Sequence, residues 1–430
     1  MNNRTNLAFD LNTLLLNQKA TEQFYTGGPD NGGDEAATML FGKAVKNKAW
    51  GRINEVPLIF GTSMNMEPAN ASNRGFPEAG ALSGARADIQ PVTQFGTISF
   101  DDFAIETLLK SSGESYLMSR DQIIKTYFAQ MNEIQSQQLA GRNDGRLCYV
   151  IGSGTTATFY GLDGTKLLSA ENPAFDILTG PSRKFDIVPV ATKTVPSVAG
   201  CTFSAFDLDA MTATCSSSLS AISSTDTDAY YVRCYNSKTA ISAIQADGLL
   251  DIFESAGSYL TDNAGAAITS TLFPNWRVTR KSAGGAVLSA DIVEYLLAAS
   301  LKLPGSDKIL VADPKVLVRC QNANKQQQQF KKDEGLYLGF PKVFYMMGAG
   351  AIQVVGLSRW RGTGYVAVVD RGFLRMLGTA MTPRFMRNEF QLLEESADWI
   401  NNVKINSQMY TDCLRAHAMA YGVDNTTDIG

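Results

Sequence analysis

The 430-residue chain has a single histidine, His417, and that scarcity excludes more chemistry than any motif adds. A multi-histidine metal centre is impossible, and any histidine base has one candidate. The six cysteines (Cys148, Cys201, Cys215, Cys234, Cys320, Cys413) form no CxxC pair and no regular spacing. They read as buried thiols rather than disulfides or zinc ligands. No apolar run reaches the roughly 18 residues that span a bilayer. The opening MNNRTNLAFDLN lacks the charged-then-apolar layout of a secretion signal, so a cytosolic product without a membrane partner is expected. A basic surplus is missing too: 38 Lys and Arg against 42 Asp and Glu give a net charge of −4. A sequence-reading nucleic-acid binder would usually carry the opposite balance. A mild acidic surplus suits a surface that lies near DNA without gripping it, because phosphate contacts drive nonspecific affinity.

Catalytic constellations are equally scarce. Gly152-Ser153-Gly154-Thr155-Thr156-Ala157 spells GxGxxA, with Asp176 about twenty residues on, as a dinucleotide fingerprint would. That chemistry needs a helix to start at the loop and face the pyrophosphate, whereas TFYGLDGTK continues with β-prone residues and glycines. A Gly-rich loop is expected there, and a nucleotide-binding enzyme stays the remote alternative. Cys413 and His417, four apart, could share a helix face but lack an orienting third group. The pairs Asp101-Asp102, Asp333-Glu334 and Glu394-Glu395 do not face each other if helical, so they read as solvated surface. The Gln326–Gln329 stretch with Lys325, Lys331 and Lys332 has only Phe330 as an aromatic, and reads as an exposed helix end. No enzyme, cofactor or metal is expected.

What is present is architecture. Residues 62–91 (TSMNMEPANASNRGFPEAGALSGARADIQP) are small and polar, with few bulky apolar groups: Met64, Met66, Phe76, Leu82, Ile89. Loops this long inside compact domains are usually functional or disordered. An arm without a core of its own becomes ordered by lying on something else, here another copy of the chain. A strand over Trp50–Gly61 precedes it and one over Val92–Phe100 follows. Arg120–Ala140 then reads as a helix, with a Ser119/Gln122 capping box, a Gly141 stop, and Ile123, Tyr127, Met131 and Ile134 on one face. Residues 1–49 read as an N-terminal arm with a short helix over Leu7–Ala20. Short strands are expected at Leu147–Ile151, Thr156–Tyr160, Phe185–Val190 and Tyr230–Tyr235, with Thr212–Asp228 an exposed loop. Later come a helix Ala290–Leu301 capped by Ser289, a strand Lys308–Ala312, and a helix from Asp313-Pro314 toward Phe330. Strands follow at Lys342–Met346, Ala351–Val355, Tyr365–Val369 and Phe373–Leu377. The tail, Glu389–Gly422, reads as helical, with Phe390, Leu393, Ala397 and Ile400 on one side.

In this order of parts, three stretches carry a resemblance. PVTQFGTISFDDFAIETLLKSS (Pro91–Ser112) leads into the Arg120–Ala140 helix, KILVADPKVLVRCQ spans Lys308–Gln321, and YVAVVDRGFLRML spans Tyr365–Leu377. They resemble the E-loop return and spine helix, the axial domain, and the late peripheral strands of the tailed-phage major capsid protein family. The likeness is one of layout, over about two-thirds of the chain. It implies an α+β, Hong Kong 97-type capsid fold. The parts would be an N-arm (1–49), an E-loop (50–100), a peripheral domain (101–154 and 341–390), an inserted β-rich subdomain (155–240), an axial domain (241–340) and a helical C-terminal tail (391–430).

Functionally the resemblance implies a shell protein of the virion, assembled in the host cytoplasm as hexamers and pentamers around double-stranded DNA. Its partners would be itself, a portal, a decoration protein and, as no long charged helical leader precedes the fold, a separate scaffolding protein. About fifteen residues each way at ~3.3 Å would let the E-loop reach roughly 50 Å across a neighbour. Phe76, Leu82 and Ile89, with Arg74 and Arg86, are the expected subunit-contact residues. An encapsulin-like compartment shares the implied fold and is the alternative. A fibrous β protein would fit the Ser/Thr-rich insert but not the helices.

Overall fold

The computed structural model describes residues 45–49, 51, 53–62, 82–101, 128, 131, 135, 138–162, 174–179, 183–193, 195–235, 247–255, 257–262, 264–300, 305–323, 336–337, 340–341, 344–347, 350–386, 391–393 and 398–426. Strand dominates, with short helices, so the class is mixed α+β. The expected helix at Leu7–Ala20, the Ser119/Gln122 cap and the Gln326–Gln329 stretch lie outside the described residues.

The first sheet runs β1 (Val45–Lys48), β21 (Leu374–Phe385), β23 (Asp398–Thr411), β22 (Gln391–Leu393), and β4 (Val92–Asp101) also pairs with β23. Here the helical tail is overturned: β23 is a fourteen-residue strand. The spacing of Phe390, Leu393, Ala397 and Ile400 suggested a helix. Val403, Ile405 and Met409 instead alternate with Asn402, Lys404 and Asn406, and that period-two pattern governs the segment. Val403, Ile405 and Met409 are buried while Asn402 is exposed. β23 is held on both sides, by ten register pairs to β4 and by β21 on the other edge. Tertiary pairing of this extent overrides a local helical preference. Along β4, Gln94 donates to Gln138 of the long helix at 2.8 Å. That helix is described at Phe128, Met131, Gln135 and residues 138–140. Phe128 is buried and meets Phe385 edge-on at 5.3 Å.

The inserted region is a sheet that closes on itself. Its order is β8 (Val198–Cys201), β7 (Phe185–Pro189), β11 (Tyr230–Cys234), β5 (Cys148–Ser153), β6 (Thr156–Tyr160), β10 (Thr212–Cys215), β9 (Phe203–Asp207). The two end strands, β8 and β9, are consecutive and separated only by Thr202, so the chain itself links the two ends of the sheet. The interior holds its own core, including Val150, Phe159, Ile187 and Val232. Phe203, just past the bend, meets Phe159 and Phe185 with ring centres 5.0 and 5.4 Å away. The Thr212–Asp228 stretch is not simply an exposed loop. Thr212–Cys215 is a strand, and Leu219 and Ile222 are buried as a plug at one end. The GxGxxA loop lies under that plug and turns β5 into β6, strand to strand. A Cβ on Gly152 would collide with Leu219 and Ile222, and Gly154 has a φ of +63° in the turn. Packing and turn geometry account for these glycines.

A third sheet runs β14 (Thr279–Ser282), β24 (Ala418–Tyr421), β20 (Val366–Asp370), β15 (Lys308–Ala312), β19 (Gly350–Gly356), β18 (Phe344–Met347). β15 is buried along most of its length, as the apolar run KILVA predicts. It packs with the helix Ala290–Ala299, capped by Ser289, and the helix Pro314–Ala323. Asp313 caps the latter through Oδ1 to the Lys315 amide (2.8 Å), while its Oδ2 takes the Gly364 amide (2.9 Å). A two-stranded ribbon, β16 (Leu336–Tyr337) and β17 (Phe340–Pro341), stands apart.

Gly152→Ala should therefore cost about 1–3 kcal/mol, the usual penalty for overpacking. A lower urea midpoint with unchanged slope is the expected measurement.

Candidate assembly interface

The last sheet carries the expected contact loop. Its order is β13 (Ala267–Thr269), β12 (Ser258–Asp262), β3 (Leu82–Ile89), β2 (Asn54–Thr62). β2 and β3 pair antiparallel from Asn54↔Ile89 to Thr62↔Leu82, with one irregularity near Phe60. Eight of the last ten residues of the span expected to lack support, Leu82–Ile89, are thus a strand, held by β2 on one side and β12 on the other. Alternation explains this. Val56, Leu58 and Phe60 face the same way as Ala85, Ala87 and Ile89, and Leu58, Ala87 and Ile89 are buried in the subunit's main core. Burying one Leu or Ile is worth about 1.5–3 kcal/mol, enough to fix the register.

An aromatic clamp holds the base. The Phe60 ring stacks on Phe273 at 4.1 Å and meets Trp276 edge-on at 4.9 Å. The Trp276 indole donates to the Tyr259 carbonyl at 3.0 Å, and Asn275 Nδ2 donates to the Phe60 carbonyl at 3.3 Å. The opposite face of the hairpin is polar and open: Glu55 and Arg86 pair at 3.6 Å, with 54% and 71% of their side-chain surfaces exposed. Such an exposed pair contributes little to subunit stability.

The five expected contact residues separate accordingly. Arg74 and Phe76 lie outside the described residues. Leu82 opens β3 opposite Thr62. Arg86 sits on the free outer face. Ile89 is corrected: at 2% exposure it belongs to its own subunit's core and is not available to a neighbour. The error came from reading all apolar groups of the span as one class. Period-two alternation through Ala85, Ala87 and Ile89 was the signal that separates them. Sequence reasoning also missed Phe60 and Trp276, and it missed Phe95, an aromatic of β4 left 64% exposed.

The residues weighed for catalysis do not assemble. Cys413 and His417 flank a short 3-10 turn, Leu414–Ala416, and do not share a helix face. His417 is buried, with Nδ1 accepting the Asp370 amide at 3.1 Å, so Nε2 carries the proton and donates to Thr411 Oγ1 at 2.8 Å. It locks the Asp370-Arg371-Gly372 turn, where Asp370 Oδ1 accepts the Asp307 and Gly372 amides and Arg371 pairs with Asp307 at 2.7 Å. Among the described residues no cluster of His, Cys, Asp and Glu is placed to hold a metal ion.

No family model matches the sequence, and no curated protein matches it. Solved structures resemble the fold. The cyanophage A-1(L) capsid asymmetric unit is 10% identical over 89% of this chain and 90% of its own, with a TM-score of 0.47. The capsid of Myoviridae phage XM1 is 12% identical over 90% and 92%, with a TM-score of 0.42. The holo-SrpI encapsulin complex from Synechococcus elongatus PCC 7942 is 10% identical over 99% and 94%, with a TM-score of 0.41. At these identities and scores the likeness carries no argument by itself, and function rests on this chain's own geometry.

Two measurements follow. Ile89→Ala should cost about 2–5 kcal/mol of subunit stability, whereas Arg86→Glu should leave it within about 0.5 kcal/mol; chemical denaturation of both variants checks the contrast. The His417 ring is held well below its ordinary 6.5, at about 3, by burial and then by the Lys308 charge. Between those values the unfolded chain binds a proton that the folded one refuses, so this group's contribution falls as pH drops from 6.5 toward 3. Wild type should lose up to about 1.4 kcal/mol per pH unit relative to His417→Gln across that window, measured as urea midpoints at several pH values.

Proposed function

We propose that this chain is the major capsid protein of a tailed double-stranded DNA phage, a structural subunit without catalytic activity that builds an icosahedral shell from copies of itself. The observation that carries the reading is the hairpin β2–β3. Its base is tied into the subunit by the Phe60 clamp and the buried Leu58, Ala87 and Ile89, while its outer face leaves Glu55, Pro57 and Arg86 open to solvent. The sequence it leads into, residues 63–81, holds only Met64, Met66 and Phe76 as bulky apolar groups. That is too little to bury a core of its own, and a second copy is the surface that supplies the rest.

The layout supports the same reading. One unit carries the long helix against the sheet of β4 and β23, another the β15 sheet with its two helices, and the closed β-rich insert stands between them in sequence. Weak contacts repeated around a closed shell gain avidity by geometry, and single contacts can still dissociate while errors are corrected. Hexamers and pentamers, a portal, a separate scaffolding protein and a decoration protein belong to this proposal. The net charge of −4 suits a container whose wall does not hold its DNA tightly.

Thr62 and Leu82 are register partners, so an Asn-Gly turn can replace residues 63–81 and close the hairpin. Electron microscopy of the purified wild-type protein should show closed particles. The shortened variant should remain folded, with an unchanged urea midpoint, and form no shells of normal size. Normal shells from it would overturn the proposal.

A further inference from the structure

We propose that the junction between the end of the long helix and the helix Leu249–Glu254 is a proton-operated latch, closed more firmly when the Asp247–Asp251 carboxyl pair holds a proton. The inference concerns the folded subunit and does not depend on shell formation.

The junction joins segments more than a hundred residues apart. After the helix ends at Ala140, the Leu250 amide donates to the Gly141 carbonyl at 3.0 Å. Asp251 Oδ2 receives two amides, Asn143 N at 2.7 Å and Gly248 N at 2.9 Å. Asp247 Oδ1 accepts the Asn143 side-chain amide at 2.9 Å, and the Asp247 amide reaches Gln408 of β23 at 3.4 Å. The approach is close enough that a Cβ on Gly248 would strike the carbonyl oxygens of Gln138 and Gly141. Asn143 is therefore gripped by both carboxyls, backbone by one and side chain by the other.

Among the described residues no free cation faces the pair. Arg142 is engaged by Glu254 through two bonds of 2.7 Å, and Arg146 by Asp144 at 2.8 Å. Those two cations are spent on other carboxylates. The Asp144 charge also acts on Asp251, opposing its ionisation, and the Tyr259 phenol lies near enough that both aspartates oppose its own. From β23 the pair meets the neutral Gln408. Both aspartates keep part of their surface in solvent, so protons can reach them, yet protein crowds them on most sides. Burial pushes Asp251 up to about 7, with the Asp247 charge adding to it, and burial pushes Asp247 up to about 6. The two titrate as a pair.

The sign is fixed by linkage. The closed junction holds protons more tightly than an opened one, in which the carboxyls return to their ordinary range near 3.8. Closure is therefore favoured at low pH and weakens as pH rises from about 4 to about 7. Protonation need not break a hydrogen bond: the Asp251 amide partners both sit on Oδ2, leaving Oδ1 to carry the proton.

Hydrogen exchange on the full-length protein tests this. Opening of peptides covering residues 139–147 and 248–253, corrected for intrinsic exchange and divided by that of the β5 peptide Cys148–Ser153, should rise at least tenfold between pH 5 and pH 7.5. Dividing by the β5 signal cancels changes in global stability. Asp251→Asn keeps an acceptor oxygen for both amides and offers Asp247 a donor, so it should hold the ratio low at pH 7.5. Asp247→Asn serves if that variant fails to fold, and should shrink the pH response likewise. A wild-type ratio that is flat with pH would overturn the latch, as would a folded variant that keeps the full wild-type response.

Discussion

A helix ends with carbonyl groups that no residue of the helix can satisfy, and in this subunit those groups organise what surrounds them. The Ala140 carbonyl receives the Trp360 indole N–H at 2.8 Å, from the loop that follows β19. The Gly141 carbonyl receives the Leu250 amide, from the segment that leaves the closed insert. Directly beyond, Arg142 holds Glu254 and Leu147 opens the insert by donating to the Val232 carbonyl. Four segments distant in sequence thus converge on the few residues after the helix. Glycine at 248 is required because any side chain there would push the helix end away. The seven-stranded sheet leaves and rejoins the fold at one place, because β5 and β11, its first and last strands in sequence, are paired neighbours.

The hairpin β2–β3 shows how one element can serve both the subunit and its surroundings. Its inward face is committed: Leu58, Ala87 and Ile89 are as deeply buried as any core residue, and Phe60 adds an aromatic contact worth about 0.5–1.5 kcal/mol beyond its area. Among the described residues its outward face carries the solvent-exposed Glu55–Arg86 pair. A projecting strand pair with this asymmetry is rigid at its root without drawing stability from what it projects toward. On the proposed function, folding and association are then separately adjustable.

Much of this was legible in the sequence where the signal was local. β5, β6, β7 and β11 follow from short β-branched runs between Gly, Pro and Asp, and β15 and the two capped helices after Ser289 and Asp313 follow from apolar runs and cap residues. Misreadings arose where tertiary structure decided. Val403–Ile405 alternates with period two, but the preceding Phe390–Ile400 spacing fits a helix equally well, and only the presence of β4 and β21 on either side selects the strand. Leu219 and Ile222 lie in a Ser-rich stretch whose composition says loop, yet their burial depends on the open end of a barrel that no local pattern announces. Gly152 looks like part of a phosphate loop because close backbone approach is what both uses of glycine share. The joint around Asn143 was invisible, since it links groups separated by more than a hundred positions.

The subunit's titrating groups act in opposite directions, and this has a consequence for how pH changes are felt. His417, buried and neutral, favours the folded state more as pH rises toward 6.5; the raised Asp247 and Asp251 favour it less over much the same interval. The two contributions have opposite slopes where their ranges overlap, between about pH 4 and 6. They do not cancel locally, because they act at different places. His417 is wired to the Asp370 turn and to Thr411 at the end of β23, whereas the aspartates are wired to Asn143 at the end of the long helix. On the proposed latch, acidification firms the helix junction, while the proton that His417 refuses weighs against the Asp370 turn. A molecule built this way feels a pH change differently at its two joints.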